Sequence, residues 1–198
     1  MTRVVLATRN SGKVREIREM LAGLDVEVLS LLDFPDVPEI REDGQSYLEN
    51  ALQKARTVAE FTGEIALADD SGLEVDALDG TPGIYSARFA GPDANDAQNI
   101  QKLLEALKSV PPEKRGASFH CVLVFSRPDG DHEAFTGNWQ GRIHNFPLGE
   151  GGFGYDPVFF LPDQGVTVAQ LPPGEKNRLS HRAQAFAKLK EWLQTEKL

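Results

Sequence analysis

Apolar and polar positions along the chain alternate between a strand period and a helix period, which predicts an α/β fold. Arg3 to Ala7 predicts a first strand, and Lys13 to Leu21 follows with Val14, Ile17 and Leu21 on one helical face. Val26 to Leu29 predicts a short second strand, and the Pro- and acid-rich stretch Leu32 to Gly44 a loop. Ser46-Tyr47-Leu48-Glu49 has the form of a capping box and opens a second helix. Leu48, Leu52, Ala55 and Ala59 are its expected buried face, while Asn50 and Lys54, four apart, share another. Ile65 to Ala68 predicts a strand that stops at Asp69-Asp70-Ser71-Gly72, and Leu73 to Ala77 alternates like a further, half-buried strand. Asn95 to Leu107 predicts a third helix with Ala97, Ile100, Leu103, Leu104 and Leu107 inward. Ser118 to Ser126 is the longest expected strand; His132 to Gly137 pairs back past a turn at Gly130, and Trp139 to Ile143 is a separate strand. A glycine-rich loop spans Gly149 to Gly154, and a last helix runs from near Ser180 to about Gln194, with Ala183, Phe186, Leu189 and Leu193 inward.

Strong patterning on both sides of Pro111-Pro112 makes that dipeptide a junction between two lobes of one domain, 1–198, rather than a linker. Twenty-one basic against 30 acidic residues give a net charge of −9. That balance argues against a nucleic acid polymer as partner, since such binding needs a broad basic surface. It still allows a small anion held by a few local cations. No run approaches the ~18 apolar residues of a membrane span, and the N-terminus lacks the long apolar stretch of a signal peptide, so the expected location is cytoplasmic, with no membrane partner. The single cysteine, Cys121, sits in an apolar strand and is expected to be buried and inert.

Five segments carry chemistry. Thr8-Arg9-Asn10-Ser11-Gly12-Lys13 joins a strand to a helix start, where loop amides, the helix dipole and Lys13 together suit a phosphate. It is not a P-loop, because Ala7 and Val14 stand where that motif needs Gly and Ser or Thr. Read alone, it is equally an ordinary capped turn. Asp69-Asp70-Ser71-Gly72 closes a strand, the end at which ligands of α/β sheets gather, and paired carboxylates there suit Mg2+. A regular strand aims only one of the two at a given site. Glu42 is a further metal ligand in reserve and Lys54 a phosphate contact, although each alone reads more simply as a solvated charge. In Gly151-Gly152-Phe153-Gly154-Tyr155-Asp156-Pro157, two aromatics offer stacking faces for a flat ring and Asp156 an acceptor for a ring N–H. In Glu175 to Arg182, Ser180 is placed as an N-cap, leaving His181 and Arg182 in a first helical turn, where cations oppose the dipole. Such local conflicts cluster at functional sites.

Six pieces in order carry a resemblance that runs from Val4 to about Leu193: Leu6 to Lys13, Glu49 to Ala55, Ala68 to Leu73, Pro82-Gly83-Ile84-Tyr85-Ser86-Ala87-Arg88, Gly152 to Pro157 and Ser180-His181-Arg182. Together the chain resembles the non-canonical purine nucleoside triphosphate pyrophosphatases, the inosine triphosphate pyrophosphatase family. The resemblance implies a long mixed central sheet with flanking helices, two lobes around a cleft, and a homodimer. It implies hydrolysis of ITP, dITP or XTP to the monophosphate and pyrophosphate with Mg2+, which cleanses the nucleotide pool. Carried onto this chain, Asp70 is the catalytic base and a metal ligand, and Glu42 a second ligand. Thr8, Asn10 and Lys13, within the loop that includes Arg9, Ser11 and Gly12, hold the triphosphate, with Lys54 and Ser71 nearby. Phe153, Gly154, Tyr155, Asp156, Lys176, His181 and Arg182 form the base pocket. Arg9 stands where members often have a small residue, and Tyr155 where some have Trp. A nucleotide-binding sensor without turnover, or a pyrophosphatase for pyrimidine nucleotides, are the competing expectations.

Overall fold

The computed structural model describes residues 2–172 and 174–195. In chain order the elements are β1 (Thr2–Leu6), α1 (Ser11–Leu21), β2 (Val26–Ser30), α2 (Tyr47–Thr62), β3 (Ile65–Val75), β4 (Pro82–Gly83), α3 (Asp96–Ala106), β5 (Gly116–Ser126), β6 (His132–Ile143), β7 (Phe159–Leu161), β8 (Val166–Thr167), α4 (Lys176–Leu179) and α5 (His181–Thr195). The strands form a mixed sheet in the order β2-β1-β3-β5-β6-β7-β8, with β4 beside β3. β1 is parallel to both β2 and β3, whereas the β3–β4, β6–β7 and β7–β8 pairs are antiparallel.

The chain divides into two compact units, one containing the residues up to Asp70, Cys121–Gly137 and those from Arg182 on, the other Ser71–His120 and Asn138–His181. In the first unit the strand period of two sorts side chains to opposite faces of the sheet. Val4 and Leu6 of β1, Leu67 of β3 and Cys121, Leu123 and Phe125 of β5 pack with Val14 and Ile17 of α1 and Phe186 and Leu189 of α5. Val5, Ala66, Ala68 and Val124 face the other way, against Ala51, Ala55, Val58 and Ala59 of α2. The small residues of α2 and β3 let helix and sheet approach closely. In the second unit, Ile100, Leu103 and Leu107 of the α3 region pack on Leu73, Val75, Phe119, Ile143 and Phe159. Phe119 and Phe159 stack there with centroids 4.3 Å apart.

Two expected strand breaks are absent. β3 runs unbroken through Asp69-Asp70-Ser71-Gly72, and β6 joins what were expected as two strands. Acidic residues and glycine are poor strand formers, but ladder pairing and the partners of both carboxylates override that preference. Of the expected buried face of α2, Ala55 and Ala59 are buried and Leu52 partly so. Leu48 is exposed, while Asn50 and Lys54 are buried. Ser46 caps α2 by accepting from Glu49 N at 3.2 Å, but the Glu49 carboxylate returns to Gln45 N rather than to the cap residue. The capping box at α3 is complete, between Asn95 and Gln98. Cys121 is buried, as expected of an inert strand thiol.

Phe186 is fully enclosed between α5, α1 and the sheet. Phe186→Ala should lower the unfolding free energy by about 3–5 kcal/mol. Urea denaturation measures this, and a loss well under 1 kcal/mol would contradict the packing described.

Candidate active site

The parity of β3 decides the chemistry midway along the strand, where Asp69 and Asp70 fall. Asp69 shares the face of Leu67 and so meets α1 and α5; Asp70 shares the face of Ala66 and Ala68 and so meets α2. The Asp69 carboxylate accepts from Arg182 Nε at 3.0 Å and pairs with the Lys13 ammonium. The other end of the Arg182 guanidinium donates to Glu16 Oε2 at 2.6 Å, and the Cys121 thiol lies 3.1 Å from Asp69. All four of Asp69, Arg182, Glu16 and Cys121 are buried. Burial alone would raise the Asp69 pKa, but Arg182 and Lys13 outweigh it and hold the carboxyl well below the usual carboxylate range.

Asp70 has different company. Lys54 Nζ lies 3.0 Å from Asp70 Oδ1, 2.9 Å from Glu42 Oε1 and 3.0 Å from the Asp69 carbonyl oxygen. Asn50 Nδ2 donates to Asp70 Oδ2 at 3.2 Å, and Asn50 Oδ1 accepts from Gly44 N at 2.9 Å. Glu42 and Asp70, 28 positions apart in the sequence, thus stand on either side of one ammonium group. Burial pushes the Asp70 pKa above its ordinary value; Lys54 and Lys13 pull against that rise, and Glu42 adds to it. For Lys54, burial works to lower the pKa, but Asp70 and Glu42 prevail and the ammonium is held above the usual lysine range.

The loop between β1 and α1 supplies further donors. Asn10 caps α1 by accepting from Lys13 N at 3.1 Å, and Thr8 Oγ1 accepts from Asn10 N at 3.1 Å. Lys13 Nζ also donates to the Asp69 carbonyl at 3.2 Å. Thr8 is half-buried; Arg9, which donates to the Val37 carbonyl at 3.1 Å, is exposed, as is Ser11.

Among the described residues no three His, Cys, Asp or Glu side chains gather closely enough to hold a metal ion by themselves. The pair Glu42 and Asp70 is nevertheless a hard-oxygen donor set whose negative charge already draws a cation. It fits Mg2+, which characteristically takes one or two protein carboxylates and completes its shell with water and substrate phosphates.

The second unit carries the other candidate cluster. Asp156 is buried and accepts from Lys176 Nζ at 2.6 Å and from Phe153 N at 3.0 Å. Lys176 Nζ also lies 4.3 Å from the centroid of the Phe153 ring. Gly152 adopts φ +73°, and a Cβ there would meet Asp156 Oδ2 at 1.9 Å, so only glycine lets the carboxylate reach the Phe153 amide. Phe153 and Gly154 line a groove of about 830 Å³ beside α3. His181 is buried and stacks on Phe119 at 4.9 Å. Ser71, half-buried, continues β3 into this unit.

Two site residues differ from expectation. Tyr155 offers no stacking face: its ring belongs to the core and its hydroxyl donates to the Ser86 carbonyl at 2.8 Å. Burial, with the nearby Asp96 charge, raises its pKa. Arg182, expected to read a base, spends its guanidinium on Asp69 and Glu16. Sequence reasoning also passed over Glu16 and gave Asn50 no role. The four-residue spacing of Asn50 and Lys54 was the available signal; Glu16 gave none, since an acid on a helix reads as solvated.

Breaking this network should be costly. Arg182→Met leaves Asp69 and Glu16 short of their buried counter-ion and should destabilise the fold by about 3–5 kcal/mol in denaturant titrations. The depressed Asp69 pKa makes a signed pH prediction. Its stabilisation is complete above the unfolded value of about 3.9 and is lost progressively as pH falls from there toward the lowered folded value. Asp69→Asn should therefore flatten the fall of unfolding free energy below about pH 4; a slope equal to that of the native chain would contradict it.

The family model described as the Ham1 family matches residues 4–192. The dITP/XTP pyrophosphatase of Geobacter sulfurreducens is 54% identical over 193 residues, which cover 98% of this chain and 97% of that protein. The dITP/XTP pyrophosphatase of Geobacillus kaustophilus is 52% identical over 191 residues, 96% of this chain and 94% of that one. The solved structure of a HAM1 protein from Coxiella burnetii aligns with a TM-score of 0.90 at 44% identity, covering 99% of this chain and 100% of its own.

Proposed function

The chain belongs to the Ham1 family, and from that premise we propose a nucleoside triphosphate pyrophosphatase that converts ITP, dITP and XTP to the monophosphate and pyrophosphate. The observation that carries the reading is the Lys54 ammonium held between Glu42 and Asp70, with Lys13 paired to Asp69 alongside. A triphosphate carries about four negative charges, and an acidic protein must concentrate its cations to hold one. Lys13, Lys54, Thr8, Asn10 and the amides of Ser11 and Gly12 at the start of α1 are assigned to the phosphates, with Arg9 and Ser71 at the edges of that set.

Asp70 is assigned the role of base. Its upward-shifted pKa brings its basicity closer to what a general base needs at neutral pH. Water held by Asp70 attacks the α-phosphorus, the anhydride bond to the β-phosphate breaks, pyrophosphate leaves, and Asp70 takes the water's proton. Lys13 and Lys54 neutralise charge on the phosphate oxygens, and Asn50 holds the carboxylate in orientation. Mg2+ held by Glu42 and Asp70 would add Lewis-acid charge stabilisation.

Base recognition is assigned to Phe153, Gly154, Asp156, Lys176 and His181. Hypoxanthine and xanthine carry an O6 acceptor where adenine carries an amino donor, so a donor from His181 would leave ATP mismatched. Tyr155 and Arg182 enter through their neighbours: Tyr155 anchors the Phe153 loop to Ser86, and Arg182 fixes the chain immediately after His181. A homodimer is part of the proposal, tested by whether light scattering gives twice the 21.8 kDa chain mass. No described helix is long and apolar enough to cross a membrane, and we assign the enzyme to the cytoplasm, with the nucleotide pool it acts on.

Incubation with ITP or XTP and Mg2+ should release pyrophosphate as the direct product, and chelation of the metal should abolish it. Orthophosphate as first product, a preference for dUTP or dTTP, or binding without turnover would each overturn the reading. Asp70→Asn should fold normally and lower kcat by about 10²–10⁴-fold; near-native kcat would remove Asp70 from the role of base. His181→Ala should narrow the ITP/ATP ratio of kcat/KM more than it lowers kcat, and an unchanged ratio would remove His181 from recognition.

A further inference from the structure

The Phe153 loop has an anchor that the reading above does not use. Gly152 and Gly154, on either side of Phe153, adopt φ +73° and +62°, a backbone region that glycine enters freely and that therefore supplies no stiffness of its own. The Lys176 ammonium meets the Phe153 ring itself, and the backbone on either side of it is held by hydrogen bonds. The Phe153 N–H donates to Asp156, and the next amide, Gly154 N–H, donates to Asp96 Oδ2 at 2.7 Å. The two amides bracketing the Phe153 Cα thus end on carboxylates from two different segments.

Asp96 is free of the usual duty at its position. It is the first residue of α3, but the helix is already capped by the reciprocal Asn95 and Gln98 bonds. A carboxylate in a first turn is favoured by the helix dipole, so it is held in place at no cost to the helix. Asp96 and Phe153 also line the same groove beside α3.

We infer that Asp96 is a positioning residue for base recognition: its carboxylate, by accepting the Gly154 N–H, aims the Phe153 ring. The inference rests on Phe153 being a base contact. Asp96→Ala should raise KM for ITP and the inhibition constant of IMP together by roughly three- to tenfold, as expected for one lost hydrogen bond. It should leave kcat within about twofold and the inhibition constant of pyrophosphate, which has no base, unchanged. Asp96→Asn, whose side-chain oxygen can still accept from Gly154, should recover most of the loss. Thermal denaturation runs alongside, and if Asp96→Ala loses its fold, Asp96→Asn and Asp96→Ser carry the comparison, Ser being too short to reach. Native KM in Asp96→Ala or Asp96→Ser beside a raised KM in Phe153→Ala would overturn the inference alone. Native KM in Phe153→Ala would overturn the base-contact reading and the inference with it. A matching rise in the pyrophosphate constant would show general distortion and also count against it.

Discussion

Two adjacent carboxylates buried midway along one strand set the terms for the first unit. An ionised carboxylate withdrawn from water must find a counter-ion or take up a proton. Asp69 and Asp70 point to opposite faces of the sheet, and their direct ion pairs go to different cations. Arg182 from α5 and Lys13 from α1 answer Asp69, whereas Lys54 and Asn50 from α2 answer Asp70. Three helices are thus tied to one strand by charge as well as by apolar packing. The two faces then give neighbouring residues opposite properties. Arg182 and Lys13 hold Asp69 as an anion, while burial raises the Asp70 pKa.

The second unit solves a different problem with the same means. There a buried carboxylate, Asp156, organises a loop by accepting from a side-chain ammonium and a backbone amide at once. Tyr155 and Ser86 tie that loop to the turn after β4, and the Ser86 hydroxyl accepts from Leu73 N of β3. Selectivity assigned to such a loop depends on rigid placement, because a hydrogen-bonding pocket rejects the wrong base edge only when its donors cannot turn away.

Much of the architecture was legible in the sequence. The helix over Asn95 to Leu107, the early strand and the helix from Lys13 follow from periodicity. The family resemblance pairs Glu42 with Asp70, and the structure brings both carboxylates to the Lys54 ammonium. Other points were not legible for identifiable reasons. The apolar pattern of α2 favoured Leu48 as buried, but Asn50 and Lys54 take the inner face because Asp70 and Glu42 are there to satisfy them. The run Asp69-Asp70-Ser71-Gly72 reads locally as a turn, and only pairing and counter-ions keep it extended. Tyr155 and Arg182 look like ligand contacts in a linear motif, yet their polar atoms are spent inside the fold.

What the chain alone determined is set by local rules: the class of fold, the parity that sends Asp69 and Asp70 to different faces and the capped loop before α1. Those follow from neighbours within a few positions, whose periodicity and chemistry are written in order. Which cation meets which carboxylate was decided only by tertiary structure. Arg182 lies more than a hundred residues from Asp69, and the charge of either is bearable in the interior only once the other arrives.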